Sequence, residues 1–424
     1  MLKSRKERLF MAIQEYTADV KGLTVLAPQA GSLSEALTAK DIVPFSHEIM
    51  RFAGGLSRAL MKSKEARRFP EIISLGHWMR PLMLQQMKQA FEARQPDASV
   101  RLARGMVLHF APGNVDTIFL YSALLSILCG NRNIVRVSSR PSPQLDLLVQ
   151  VLNEMFEKPE YESFRHRLCI VRYGHSDQIT QTLSDGCDLR VVWGGDATVN
   201  AIRRLPIPPG AREICFPDRW SLAVTDASWV CTASDDALQK LALDFTNDSY
   251  WFGQMACSSP RLMLWRGDKQ DAAKAAKIFW GHVRIAAQRF APDISPVGFV
   301  NKLVSSYTAA IEGDIVEIVS LQDNIVSLSE MKDLQAPPDD LCVGDGMFWQ
   351  SHISDLDELA ALLDHKSQTI ISHGISQSDW MDFSLKTSPR IDRIVPFGRA
   401  LQFGEIWDGF DLLAEFSRLT AIDV

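Results

Sequence analysis

Cysteine is scarce in this chain and does not pair. Seven cysteines fall among 424 residues, at Cys129, Cys169, Cys187, Cys215, Cys231, Cys257 and Cys342. No two stand in a CxxC spacing and their number is odd, which argues against a disulfide framework and against a structural zinc site. The nine histidines are equally dispersed, without HExxH or a related ligand spacing, so no metal is expected. Positive charge is not in excess: a formal net charge of -6 gives no bulk attraction to nucleic acid or to an anionic membrane surface. Long apolar runs are missing too. The longest, Ile118 to Cys129, is too short to cross a bilayer and reads as a buried helix. The basic start Lys3-Ser4-Arg5-Lys6 leads only into the short run Leu9 to Ile13, with no small-residue cleavage pattern, so no signal peptide is read. These absences together predict a cytoplasmic protein with reduced thiols.

The composition that remains, 46% hydrophobic and 23% charged, is that of an ordinary globular protein. Its length exceeds what one compact core normally fills, so at least two domains are expected. Apolar residues recur at helical spacing through Ile49, Phe52, Leu56, Leu60, Trp78, Leu82 and Met87, which predicts a helical N-terminal region. From Gly105 the pattern becomes short apolar strands alternating with longer helical stretches. Strands are expected at Met106 to Phe110, Asn133 to Val137, Cys169 to Tyr173 and Leu189 to Trp193. Helices are expected at Thr117 to Leu128, Gln144 to Phe156 and Asp177 to Leu183. That alternation predicts βαβ units and a mainly parallel sheet.

Ligands of such sheets bind beyond the carboxyl ends of the strands. After the first strand stands Pro112-Gly113-Asn114, a turn with exposed amides and a side-chain NH2 suited to an oxyanion. After the second come Arg136, Ser138, Ser139 and Arg140, cations and hydroxyls without a carboxylate, which suit a phosphate. After the fourth, Gly194-Gly195 opens a helical pattern where a phosphate could meet a helix N-terminus. Each also reads as an Asx turn, a surface charge or a plain glycine loop, and none is a GxGxxG fingerprint. Further on, Phe252-Gly253-Gln254-Met255-Ala256-Cys257-Ser258-Ser259-Pro260-Arg261 sets one cysteine among small residues that leave room for an acyl group at its sulfur. A lone cysteine is more often a buried packing residue.

The order of these pieces resembles the aldehyde dehydrogenase superfamily, and most closely its LuxC-like branch, the fatty acyl-CoA reductases related to bacterial bioluminescence. The resemblance is carried by His109 to Val115, Gly130 to Ser138, Phe216 to Val224, Gln254 to Arg261, Asp392 to Leu401 and Trp407 to Leu413. It implies an α/β, aldehyde dehydrogenase-like fold: two Rossmann-like domains with an active-site cleft between them and a helical N-terminal region. Residues 1–225 would hold the helical region and the NADP-binding domain, 226–385 the catalytic domain, and 386–424 the return to the cofactor domain. Cys257 would be the nucleophile, with Asn114 and a backbone N–H near the cysteine holding the oxyanion.

Oxidising members of the superfamily carry a glutamate that activates water. The segment that aligns here is Phe216-Pro217-Asp218-Arg219-Trp220, with Glu213 upstream as the candidate acid or base and Asp218 as a weaker one. A displaced base fits the reductive direction, since water would compete with hydride for the thioester. NADPH is the expected cofactor, because an acidic residue that would hold the adenosine ribose is missing between Arg136 and Arg140. Pro112, Gly113, Arg136, Ser138, Ser139, Arg140, Gly194 and Gly195 are the expected cofactor contacts. The substrate would be an acyl-CoA or an acyl-carrier thioester, with an acyl-protein synthetase as a partner and a homo-oligomer as the assembly. Two other readings stay open: a cysteine acyltransferase or thioesterase without hydride transfer, and a non-catalytic interaction subunit of the same fold.

Overall fold

The computed structural model describes residues 22–29, 33, 39–321, 324–422 and 424. They fall into two compact units, one within Met1–Pro217 plus Phe403–Val424 and the other Asp218–Gln402.

Strands β1 (Thr24–Ala27), β2 (Ser99–Ala103), β3 (Met106–Phe110), β4 (Arg132–Val137), β5 (Leu168–Arg172), β6 (Leu189–Trp193) and β7 (Arg212–Phe216) belong to the first unit. All but β2 form one sheet in the order β1-β5-β4-β3-β6-β7. Neighbours from β5 to β7 are parallel, and β1 pairs antiparallel at the edge. Strands covered on both faces read as continuous apolar runs, and β3 shows why. Val107 faces one core, while Met106, Leu108 and Phe110 face the other.

The first core is closed by helices α1 (His47–Lys62), α2 (Pro70–Trp78), α3 (Pro81–Ala93), α4 (Thr117–Leu128) and α5 (Pro143–Phe156). The second is closed by α6 (Asp177–Ser184) and α7 (Asp196–Arg203). Proline opens α2, α3 and α5, where its missing N–H breaks no helical bond. Every residue of α4 is buried, as a helix without a polar face must be. At about 1.5–3 kcal/mol per large apolar side chain, its seven Ile, Leu and Phe residues contribute on the order of 10–20 kcal/mol against chain entropy. His109, on β3, is fully buried between Ser122 Oγ and Asn133 Oδ1, each 2.9 Å from a ring nitrogen. Burial pushes its pKa down to about 4, so it is a neutral core residue.

The second unit repeats the three-layer plan. Strands β8 (Trp220–Asp226), β9 (Pro260–Arg266), β10 (Ile315–Leu321), β11 (Val326–Met331), β12 (Met347–Ile353), β13 (Ser367–His373) and β14 (Arg393–Pro396) order as β10-β11-β12-β9-β8-β13-β14. All pairs are parallel except β10 with β11. Helices α8 (Asp235–Ser249) and α9 (Lys269–Ala287) cover one face, packing Phe245, Phe279 and Trp280 on Met263, Phe348 and Ile371. On the other face Trp380 and Phe383 of α11 (Gln377–Thr387) and Ala309 of α10 (Pro296–Glu312) meet Leu222, Leu264 and Ile370. Among the described residues no helix is long and apolar enough to cross a membrane. No group of three or more His, Cys, Asp or Glu residues among them is placed to hold a metal.

Candidate active site

In the first unit the parallel strands, taken in chain order, run 3-2-1-4-5 across the sheet. Winding therefore reverses between β3 and β6, the switch point at which dinucleotides bind. The loops after β3, β4 and β6 leave three neighbouring strands at that edge. Asn114 and Gly113 are exposed in the first loop, with Pro112 half-buried. A side chain at Gly113 would stand 3.4 Å from Ser138 Oγ, so the first two loops adjoin. They are also tied together: the Ser142 hydroxyl donates to Asp116 and accepts from Leu145 N at the start of α5.

The cationic loop is partly committed. Arg136 Nη2 donates to Tyr173 O at 3.2 Å and the guanidinium lies 5.5 Å from the Tyr173 ring centroid. The Ser139 hydroxyl donates to the same carbonyl at 3.2 Å. Arg140 is exposed, its N–H donating to Ser138 Oγ at 3.1 Å. Gly195 caps α7, and Asp196 already places a carboxylate in its first turn. Of the two candidate anion sites, the loop after β4 is therefore the stronger.

The Glu213 carboxylate is occupied at the other end of the sheet. It sits second on β7, in register with Arg190 of β6. Arg190 Nε donates to its Oε2 at 2.6 Å, with Nη2 on the same oxygen, and Arg203 Nε donates to Oε1 at 3.0 Å. Arg190, whose side chain is 2% exposed, also donates to Leu205 O at 2.8 Å. The carboxyl-end loops lie roughly 13 Å further along the strands, at about 3.3 Å per residue.

In the second unit Cys257 lies between α8 and β9 at the amino ends of β8 and β9, not at the carboxyl ends. The approach to it is strained. Phe252 (φ 58°, ψ 28°), Gly253 (φ 59°, ψ 30°) and Gln254 (φ 63°) are consecutive left-handed residues, which only glycine adopts without penalty. Phenylalanine and glutamine there cost on the order of 1–3 kcal/mol each. The Gln254 amide offsets this. Its Nε2 donates to Pro260 O and Met347 O and its Oε1 accepts from Gly346 N, all at 2.9 Å.

Beyond the strained turn, the chain is held at the cysteine and just after it. The Cys257 carbonyl accepts from the Ser221 hydroxyl at 2.7 Å, and the Ser259 hydroxyl donates to Asp248 O at 2.8 Å. Cys257 is half-buried, between buried Ala256 and Ser258. Arg261, at the end of the cysteine segment, pairs at 3.6 Å with Asp339. It adjoins Cys342, whose thiol burial pushes up to about 11.

Sequence reasoning gave no part to Asp248. Its carboxylate accepts from Gly398 N at 2.6 Å and Ala400 N at 2.9 Å, and burial pushes its pKa up to about 7. The Asp392 to Leu401 motif is thereby fastened to the end of α8, next to the cysteine loop. The motif itself was the signal; a buried acid at the end of a helix was not. Gln254 was visible only as part of the Phe252 to Arg261 segment around the cysteine.

No curated protein matches the chain. Solved aldehyde dehydrogenases share its fold. A Sinorhizobium meliloti NAD-dependent aldehyde dehydrogenase matches with a TM-score of 0.61 at 12% identity, covering 98% of this chain and 86% of that one. The indole-3-acetaldehyde dehydrogenase AldA of P. syringae, solved with NAD+ and IAA, matches at 0.60 and 11%, covering 98% and 87%. The family model described as acyl-CoA reductase (LuxC) matches residues 55–293, more than half of the chain. With the aldehyde dehydrogenase fold, that match makes the protein an aldehyde-related oxidoreductase, and the chain belongs to the LuxC family of acyl-CoA reductases.

Proposed function

We propose that the protein reduces a fatty acyl-CoA or an acyl-protein thioester to an aldehyde with NADPH, through a thioester on Cys257. The observation that carries this reading is the braced turn before β9, where two non-glycine residues are kept left-handed immediately ahead of a half-buried cysteine. Strain of this kind persists where a function uses it.

The Cys257 thiolate attacks the acyl carbon, the bond to the carrier sulfur breaks, and the carrier leaves as a thiol. The LuxC resemblance makes Asn114 the expected amide donor to the oxyanion of that step. When bound, NADPH supplies the hydride that reduces the enzyme thioester. Release of the aldehyde returns the Cys257 thiolate. The position of Glu213 supports reduction over hydrolysis, because a carboxylate clamped by Arg190 and Arg203 is not available to activate water. The first unit fits the cofactor: the switch-point loops of Pro112, Gly113, Gly194 and Gly195 suit its pyrophosphate. Ser138, Ser139, Arg136 and exposed Arg140 suit a 2′-phosphate that a carboxylate would repel.

The test is NADPH oxidation with acyl-CoAs of several chain lengths. Wild type is expected to consume NADPH and release thiol and aldehyde together. Cys257→Ala should lose at least ~10⁴-fold in kcat, and Asn114→Ala ~10²–10³-fold. Thiol release without NADPH consumption at any chain length would leave acyl transfer or hydrolysis in place of reduction.

A further inference from the structure

Lys302 is a buried cation that the chemistry above does not use. It sits on α10, in the same unit as Cys257, and is 0% exposed. Its ammonium donates to three main-chain carbonyls: Asn324, Ile325 at 3.4 Å and Asp345 at 2.7 Å. It also lies 5.0 Å from the Phe299 ring centroid. An ammonium is costly to bury unless its protons are placed, and three acceptors match its three donors. Burial pushes its pKa down to about 8, against the opposing charge of Asp345.

What the ammonium holds is a second left-handed turn. Gly344, Asp345 and Gly346 have φ of 78°, 54° and 84°, another left-handed triplet, and it is seated on the first. Asp345 N donates to Gly253 O at 3.0 Å, and Gly346 N to Gln254 Oε1 at 2.9 Å. The non-glycine residues Phe252, Gln254 and Asp345 are unfavourable there alone, and rotation of a peptide in one triplet would break its bonds to the other. We propose that Lys302 is a positioning residue for Cys257: by gripping the Asp345 carbonyl it keeps the 344–346 turn locked on the 252–254 turn, and so fixes where the cysteine stands at the head of β9. The inference rests on the assignment of Cys257 as nucleophile.

Lys302→Met keeps the length and apolar stem and removes the three donors. With saturating NADPH and acyl-CoA its kcat should fall ~10²-fold while KM for NADPH stays put, since small misplacements of a reacting group cost about that much. Iodoacetamide labelling at Cys257, read by mass spectrometry against half-buried Cys231 of the same unit, should shift at least ~5-fold. A merely structural lysine would lower Tm and move both cysteines alike. Gly344→Ala disturbs the same contact without touching the ammonium, because a Cβ there collides with the Gly253 carbonyl. It serves as the second variant should Lys302→Met be insoluble, and the same selective shift is expected. A soluble variant of either kind with kcat and the Cys257 to Cys231 ratio within about two-fold of wild type overturns the proposal. Failure of the underlying assignment is read separately, as thioester reduction that survives Cys257→Ala.

Discussion

In the first unit, the loops with Asn114, Ser138 and Gly194 leave the carboxyl ends of β3, β4 and β6, and none of residues 111–116, 138–142 or 194–195 has a positive φ. In the second, the loop with Cys257 precedes β9 and passes through three consecutive left-handed residues. The first arrangement needs only a strand order that reverses its winding. The second needs particular side chains: Gln254 to saturate two carbonyls and an N–H, Asp248 to tie down Gly398 and Ala400, and Lys302 to hold the facing turn. Substitutions should therefore be graded and local in the first unit, and steep in the second.

The largest effect is expected at Gln254. Gln254→Leu keeps the volume but leaves the Pro260 and Met347 carbonyls and the Gly346 N–H buried without their partner. At about 1–3 kcal/mol per unmatched group, the loss is on the order of 3–9 kcal/mol, enough to unfold a marginal unit. Urea titration of wild type and variant measures it directly. A midpoint change worth under about 1 kcal/mol would mean that the turn is not held by this amide, and the contrast between the units would weaken.

A smaller, graded effect is expected after β4. Ser138→Asp puts a carboxylate beside Arg140, where a 2′-phosphate would have to sit. KM for NADPH should rise about tenfold or more, equivalent to ~1.4 kcal/mol, with kcat and Tm little changed and NADH use improved. Equal losses for the two cofactors would show that the loop after β4 does not read the phosphate.

Much of the first unit could be read from the chain. Met106–Phe110, Thr117–Leu128 and Leu189–Trp193 stand where the apolar runs and glycine breaks place them, because buried parallel strands and a fully buried helix leave an unmixed local pattern. The braces of the cysteine loop left no such pattern. Lys302 meets carbonyls 22 to 43 residues away, and it lies in a helix where lysine is unremarkable in sequence. Phe252 carries no mark of a left-handed backbone, which is imposed from outside by Gln254 and by the 344–346 turn. Glu213 looked like a displaced catalytic acid because its sequence neighbours align with a catalytic segment. Its partner Arg190 comes from the register of β6 on β7, a long-range property, and Arg203 from the end of α7.

Glu213 therefore gives the sharpest small-effect test of the comparison. Its carboxylate joins Arg190, nearly buried, to Arg203, 56% exposed. Glu213→Gln keeps one acceptor but removes the charge, leaving Arg190, which also donates to Ser184 Oγ and Leu205 O, without its charged partner. Removing one partner of a buried pair costs about 3–5 kcal/mol; here the cost should be lower, about 1–3 kcal/mol, because the glutamine oxygen still accepts and Glu213 is partly exposed. Tm should fall by several degrees, while kcat measured on folded protein below the transition stays within about two-fold of wild type. If kcat instead falls by ~10²-fold or more with Tm unchanged, Glu213 acts in proton transfer. The clamp would then have to open during turnover, and the first unit would need bracing as specific as the second.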